Sequence, residues 1–273
     1  MHEYTQCKKY EICHMYPLYT RHYRNSSCSK EMSKDDSRIN EWFVPKFGPI
    51  KFRVLIGLLF LPYTSMSICF TVLGGLLSPV IHLDRLFALA VIYFLALGLG
   101  AHAADALGSK RIRPWANYIT KRELKLLLIL GLVLAYSIGL YYIVNYVPFL
   151  ALIAISEGFF LFAYNFELFG GFFHNNFWFA ISWGVIPLLA GFVMQTDSIA
   201  ISAIMLSFLT GCVSYIEIRL SREYKALKRT KALITKQNRL EISLKAISLG
   251  TIAVTIASVI VSYFCSGHIS LST

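Results

Sequence analysis

Runs of about twenty apolar residues recur along this chain, and no other feature limits its fold as tightly. An α-helix rises about 1.5 Å per residue, so roughly 20 apolar residues carry it across the hydrocarbon core of a bilayer. The run "FRVLIGLLFLPYTSMSICFTVLGGLL" is of this kind, and so is "DRLFALAVIYFLALGLGAHAADAL". Inside hydrocarbon the backbone has no water to bond, and a helix satisfies its own amides. The composition agrees. Of 273 residues, 56% are hydrophobic and 15% charged, against about 25% charged in soluble domains. The predicted fold is all-α: a polytopic membrane helix bundle over residues 46–273, preceded by a polar, poorly ordered tail over 1–45.

Seven spans are predicted, near 52–76, 84–107, 124–144, 147–164, 177–195, 198–217 and 244–265. The basic residues check the count. Ten Lys and Arg lie between Lys8 and Arg53, six between Lys110 and Lys125, and nine between Arg219 and Lys245; Arg85 is the only other one. Seven spans with a cytoplasmic N-terminus put all three groups on one face, as the positive-inside rule requires. The net charge of +11 is therefore read as orientation and contact with anionic lipid headgroups. It is not read as a nucleic-acid surface. The six cysteines fit no zinc-binding spacing.

Polar residues collect where the even-numbered spans reach the cytoplasmic side. The second span ends in "HAADALGSKRIRP", with His102 and Asp105 three residues apart and hence on one helix face. Lys110, Arg111 and Arg113 follow. The fourth span ends in "YNFELFGGFFHNN", bringing Asn165, Glu167 and His174; the sixth brings Glu217, Arg219 and Arg222. Ionisable residues at membrane depth are costly and mark function by default. Carboxylates and amides beside arginines suit a diphosphate, held by a bridging Mg²⁺ and by guanidinium hydrogen bonds. Such a ligand, with an apolar tail between the helices, is a polyprenyl diphosphate. Glu157, in "ALIAISEGFF", is the one acid deep inside a span and is read as a structural acid paired within the bundle.

The order of these features resembles the UbiA superfamily of intramembrane prenyltransferases, over roughly residues 45–225. The resemblance rests on "HAADALGSKRIRPWANYIT" and "YNFELFGGFFHNNFWFAISWGVIPLLAGF". Family members carry Asn-Asp-x-x-Asp-x-x-x-Asp after the second span, with Arg-Pro beyond it. Here Ala101, His102, Asp105 and Ser109 stand in those places and Arg113-Pro114 follows, so Asp105 alone keeps its acid. The family's second Asp-rich loop is absent, and the usual nine spans are seven.

The resemblance implies a divergent UbiA-like prenyltransferase, moving a polyprenyl group from its diphosphate to an acceptor in the membrane. It implies Asp105, His102 and Glu167 as catalytic residues and Asp105 as the Mg²⁺ ligand. Lys110, Arg111, Arg113, Asn165 and Arg222 would bind the diphosphate. The competing reading is a non-catalytic isoprenoid- or quinone-binding or complex-forming membrane protein on the same scaffold.

Overall fold

The computed structural model describes residues 38–109, 115, 118–230, 233–266 and 269–270. Lys110, Arg111 and Arg113 lie outside the described residues, so their expected phosphate contacts are not seen. Eight helices follow one another: α1 Ile50–Leu59, α2 Leu61–Leu76, α3 Leu83–Gly108, α4 Lys121–Asn145, α5 Leu150–Asn165, α6 Asn176–Thr196, α7 Ile201–Thr230 and α8 Ile234–Ser266. The only strand pairing among the described residues joins Ile81–His82, in parallel, to Ile269–Ser270.

Five of these helices are long and apolar enough to cross a membrane. A sixth span is counted if α1 and α2, bent by 41° at their junction, act as one. The chain is thus an all-α, multi-pass membrane bundle. All seven predicted segments are helical, but α5, with 16 residues, falls short of the roughly 20 needed to span.

The large groove-facing and lipid-facing contrast expected of such a bundle is present. Ile129, Val133, Leu140, Leu152, Ile155, Met205 and Phe208 are exposed; on a membrane protein these faces meet acyl chains. Packing inside depends on small residues. A Cβ on Gly191 would run into the Thr71 carbonyl oxygen, and one on Gly74 into that of Leu188. Bare glycines on each side thus let α2 and α6 lie backbone to backbone.

The loops sort to two ends. At one end Phe149 N–H donates to Asp197 Oδ1 (2.8 Å) and His82 N–H to Gln195 Oε1 (2.7 Å). At the other end Lys228 Nζ pairs with Glu41 (2.8 Å), and Tyr224 donates to Glu241 (3.1 Å). Among the described residues every Lys and Arg except Arg85 belongs to this second, basic end.

Two expectations need correction there. Residues 38–45, the last part of the expected tail, pack on the bundle: Ile39 and Val44 are buried and the Lys245 ammonium lies 5.5 Å from the Trp42 ring, so the expectation of poor order fails for them. The basic stretch 218–243, read as a loop, is almost entirely helix, since α7 runs to Thr230 and α8 begins at Ile234. Its Arg, Lys, Glu, Leu and Ala are strong helix formers, and charge excludes a residue from lipid without excluding it from a helix. Lys245 and Glu241 pair one turn apart at 2.7 Å.

Candidate functional site

Three departures from regular helix meet near the basic end. The first is the break between α1 and α2. Pro62 has no N–H and its ring crowds the carbonyl four residues earlier, so the helix cannot continue through "LFLPYT". Phe60 takes up the strain in a left-handed conformation (φ 43°). Thr64 Oγ1 donates to the Leu59 carbonyl (2.7 Å), which keeps that oxygen satisfied in an apolar setting.

The other two are π-helical turns, Phe94–Ala101 in α3 and Ile181–Val185 in α6. Such turns are rare and concentrate at functional sites. In α6 the carbonyls they expose are taken by neighbouring hydroxyls. Ser67 donates to Trp183 O (3.0 Å) and Thr210 to Gly184 O (2.9 Å).

These breaks aim aromatic rings at one another. Phe60 stacks on Tyr63 at 4.4 Å between centroids. Phe60 also meets the His102 ring edge-on at 5.6 Å. Trp183 lies 5.3 Å from His102 and stacks on Phe179 at 5.3 Å. His102 follows directly on the first π turn, and Trp183 sits within the second. His102 makes a long hydrogen bond, 3.5 Å from Nε2 to Thr64 Oγ1.

Charged groups surround this cluster. Lys225 Nζ sits over the Phe60 ring at 4.9 Å, and both Asp105 and Lys225 lie within electrostatic reach of His102. Arg222 donates to the Tyr164 hydroxyl at 3.0 Å, and Asp105 is close enough to act on that same hydroxyl. Glu217, only 2% exposed, faces Lys225 and Ser248. A cleft of about 260 Å³, counting its mouth, opens among Glu41, Trp42, Phe60, Tyr63, Glu217 and Lys225.

Within it one polar atom stands out. The Tyr63 hydroxyl belongs to a side chain that is 4% exposed, and it lies near Ser221 and Glu217. No hydrogen bond of normal geometry closes on it. Ser221 is its hydrogen-bonding neighbour, at poor geometry. Buried polar groups are nearly always well paired, so a loosely held hydroxyl beside a cleft is a candidate contact for a ligand.

The expected site residues are thus partly gathered. His102, Asp105 and Arg222 share one neighbourhood. Asn165 is beside them: its helix backs against the end of α3, where a Cβ on Gly108 would strike the Asn165 carbonyl. Its amide nitrogen donates to Leu161 O (2.8 Å) in its own helix. Glu167 sits past the end of α5 in a left-handed conformation (φ 50°). His174 stacks on Tyr164 at 4.5 Å.

No three His, Cys, Asp or Glu side chains among the described residues form a group able to hold a metal ion. The donor set therefore fits only a Mg²⁺ that arrives with its phosphates, since that ion uses one or two carboxylates and takes its other ligands from phosphate oxygens and water.

Phe60, Tyr63, Trp183 and Lys225 were not among the expected site residues. Their signals were present, as a proline inside an apolar run and a lysine three residues beyond Arg222. Glu217 is among the polar residues expected at the end of the sixth span, but its near-complete burial is not readable from the sequence. Comparison of the chain with protein-family models, with curated proteins and with solved structures finds no significant match.

Proposed function

We propose that this protein is a divergent UbiA-like prenyltransferase of the membrane, with seven passes, its N-terminus and its site on the cytoplasmic side. The observation that supports the reading is the buried, poorly paired Tyr63 hydroxyl, set among aromatic rings beside Lys225 and Arg222. The gathering of the basic residues at one end supports the orientation. The pairing of Ile81–His82 with Ile269–Ser270 supports an odd number of passes, because it brings the chain's last residues to the end that holds the loop before α3.

The chemistry assigned to the residues follows from their types. A polyprenyl diphosphate reacts when the bond between its allylic carbon and the bridging oxygen breaks, leaving an allylic cation and free diphosphate. The acceptor's nucleophilic atom then bonds to that carbon and loses a proton. Phe60, Tyr63, Phe179 and Trp183 offer π faces to the cation and keep water from it. Arg222 and Lys225, with Lys110, Arg111 and Arg113 of the adjoining loop, take the phosphate oxygens. Asp105, with His102 beside it, would hold Mg²⁺. That ion, when bound, neutralises charge on the departing diphosphate. Asn165 and Glu167 complete the rim or face the acceptor, and the polyprenyl chain extends between the helices into the bilayer.

The lone position of Asp105 favours a second reading, in which the same site binds an isoprenoid or quinone without turnover. Calorimetric titration of the detergent-solubilised protein with geranylgeranyl diphosphate, in Mg²⁺ and then in EDTA, tests both. Mg²⁺-dependent binding followed by diphosphate release with an acceptor supports transfer. Binding without release under any acceptor supports the second reading. Absence of binding in both buffers refutes the two together.

A further inference from the structure

A second cavity lies away from this cleft, at mid-depth in the bundle. Helices α3, α4 and α5, with Ala190 of α6, line a groove of about 640 Å³, counting the open space at its mouth. The space exists because the facing positions are small: Ala96, Ala135, Gly139, Ala154, Gly158 and Ala190 all line it. Leu140, Leu152 and Ile155, each next in sequence to a lining residue, are exposed on α4 and α5, faces that on a membrane protein meet lipid.

Its lining is hydrocarbon except at three side chains, Tyr93, Tyr136 and Glu157. Two of these are already engaged. Tyr136 donates to the Ala154 carbonyl (2.9 Å), and Tyr93, 4% exposed, donates to Glu157 Oε1 (2.9 Å). Glu157 Oε1 thus has one partner, and Oε2 makes no hydrogen bond among the described residues. Tyr93 lies ten residues past Leu83, the first residue of α3, which is roughly 15 Å of helix and hence near the middle of a bilayer core about 30 Å thick. A carboxyl at that depth serves no lipid acyl chain, and acidic residues there mark function by default.

We infer that this groove is a binding site for a neutral lipid alcohol, a long apolar chain ending in a single hydroxyl that donates to Glu157, for which geranylgeraniol serves as the probe. A carboxyl keeps an acceptor oxygen whether or not it carries a proton, so a hydroxyl donor is satisfied in both states. A cationic head would first have to be stripped of its water at mid-membrane. The inference does not rest on prenyl transfer at the other site.

The test uses the full chain in lipid nanodiscs and saturable binding of radiolabelled geranylgeraniol, with geranylgeranyl acetate as the probe that lacks the hydroxyl proton. One saturable site is expected, at least tenfold weaker for the acetate. Glu157→Leu weakens geranylgeraniol at least tenfold, and Glu157→Gln, which keeps an acceptor oxygen, stays within threefold of the parent. Gly139→Leu fills the groove and removes binding. A Cβ at Gly139 meets nothing closer than Ile92 Cδ1 at 4.0 Å, so that variant is expected to fold, as its elution profile will show. Equal binding of alcohol and acetate, indifference to both Glu157→Leu and Gly139→Leu, or no saturable binding each overturns the inference. Because the probe carries no phosphate, failure here leaves the diphosphate reading standing, and failure there leaves this one standing.

Discussion

Replacing Tyr63 with Phe removes one oxygen and nothing else, and its two expected effects have opposite signs. The hydroxyl is buried, with the side chain 4% exposed, and its one hydrogen-bonding neighbour, Ser221, meets it at poor geometry. A buried polar group without a well-placed partner costs about 1–3 kcal/mol. The ring itself keeps its contacts, since Phe stacks on Phe60 (4.4 Å) and meets Phe179 edge-on (5.9 Å) as Tyr does. Tyr63→Phe is therefore expected to stabilise the free protein by about 1 kcal/mol, the lower end of that range. For a chain of this size that raises Tm by about 2–4 °C. If the hydroxyl serves the ligand, the same change weakens geranylgeranyl diphosphate by roughly tenfold, the worth of one hydrogen bond in a closed site. Thermal unfolding in detergent, with and without the diphosphate, reads both effects in one series. A variant that melts below the parent in the absence of ligand would show that the hydroxyl is well paired in the folded protein, and the reasoning would fall. A variant more stable but unaltered in affinity would remove Tyr63 from the site.

Other substitutions probe the same architecture. Asp105→Asn is expected to abolish the Mg²⁺-dependent part of diphosphate binding while leaving Tm within about 2 °C, a change of under 1 kcal/mol; calorimetry in Mg²⁺ and EDTA checks it, and parental binding would place the site elsewhere. Arg222→Gln should weaken the diphosphate about tenfold in both buffers, whereas Tyr164→Phe, which removes only the hydroxyl that Arg222 meets at 3.0 Å, should change affinity less than threefold. Gly191→Val puts side-chain atoms against the Thr71 carbonyl, where backbone cannot yield. A loss of about 3 kcal/mol is expected, seen as a lower Tm and greater loss on heating in detergent. Full stability of that variant would mean that α2 and α6 are not in backbone contact.

The apolar runs determined the class of this protein unaided. Some twenty residues without charge leave a chain no option but a helix buried in hydrocarbon or protein, so each predicted segment is helical in the structure. The charges were equally legible as a group at one end of the bundle, because their grouping along the chain is a one-dimensional fact. Helix ends were harder to place. The stretch 218–243 reads as a loop when charge is taken to mean loop, yet Arg, Lys and Glu extend α7 and α8 beyond the apolar part. Part of the candidate site was legible too. His102 and Asp105 are three residues apart on one helix, and that spacing alone puts them together.

What only the tertiary structure decided is which distant residues join them. Pro62 announces a break but not its direction. Phe60 reaches His102 where the chain turns left-handed at residue 60, and Trp183 reaches it from the π-helical turn of α6, with Tyr63 packed on both rings. A π turn has no reliable mark in sequence, since it is stabilised by partners elsewhere, here Ser67 and Thr210 bonding to Trp183 and Gly184. The groove beside Glu157 was equally hidden. Ala96, Gly139 and Ala154 read singly as ordinary helix residues, and the space appears only when three helices bring their small faces together around one acid. Periodicity and charge act along the chain and can be read from it; voids, ring contacts and poorly paired hydroxyls arise between segments and exist only after packing.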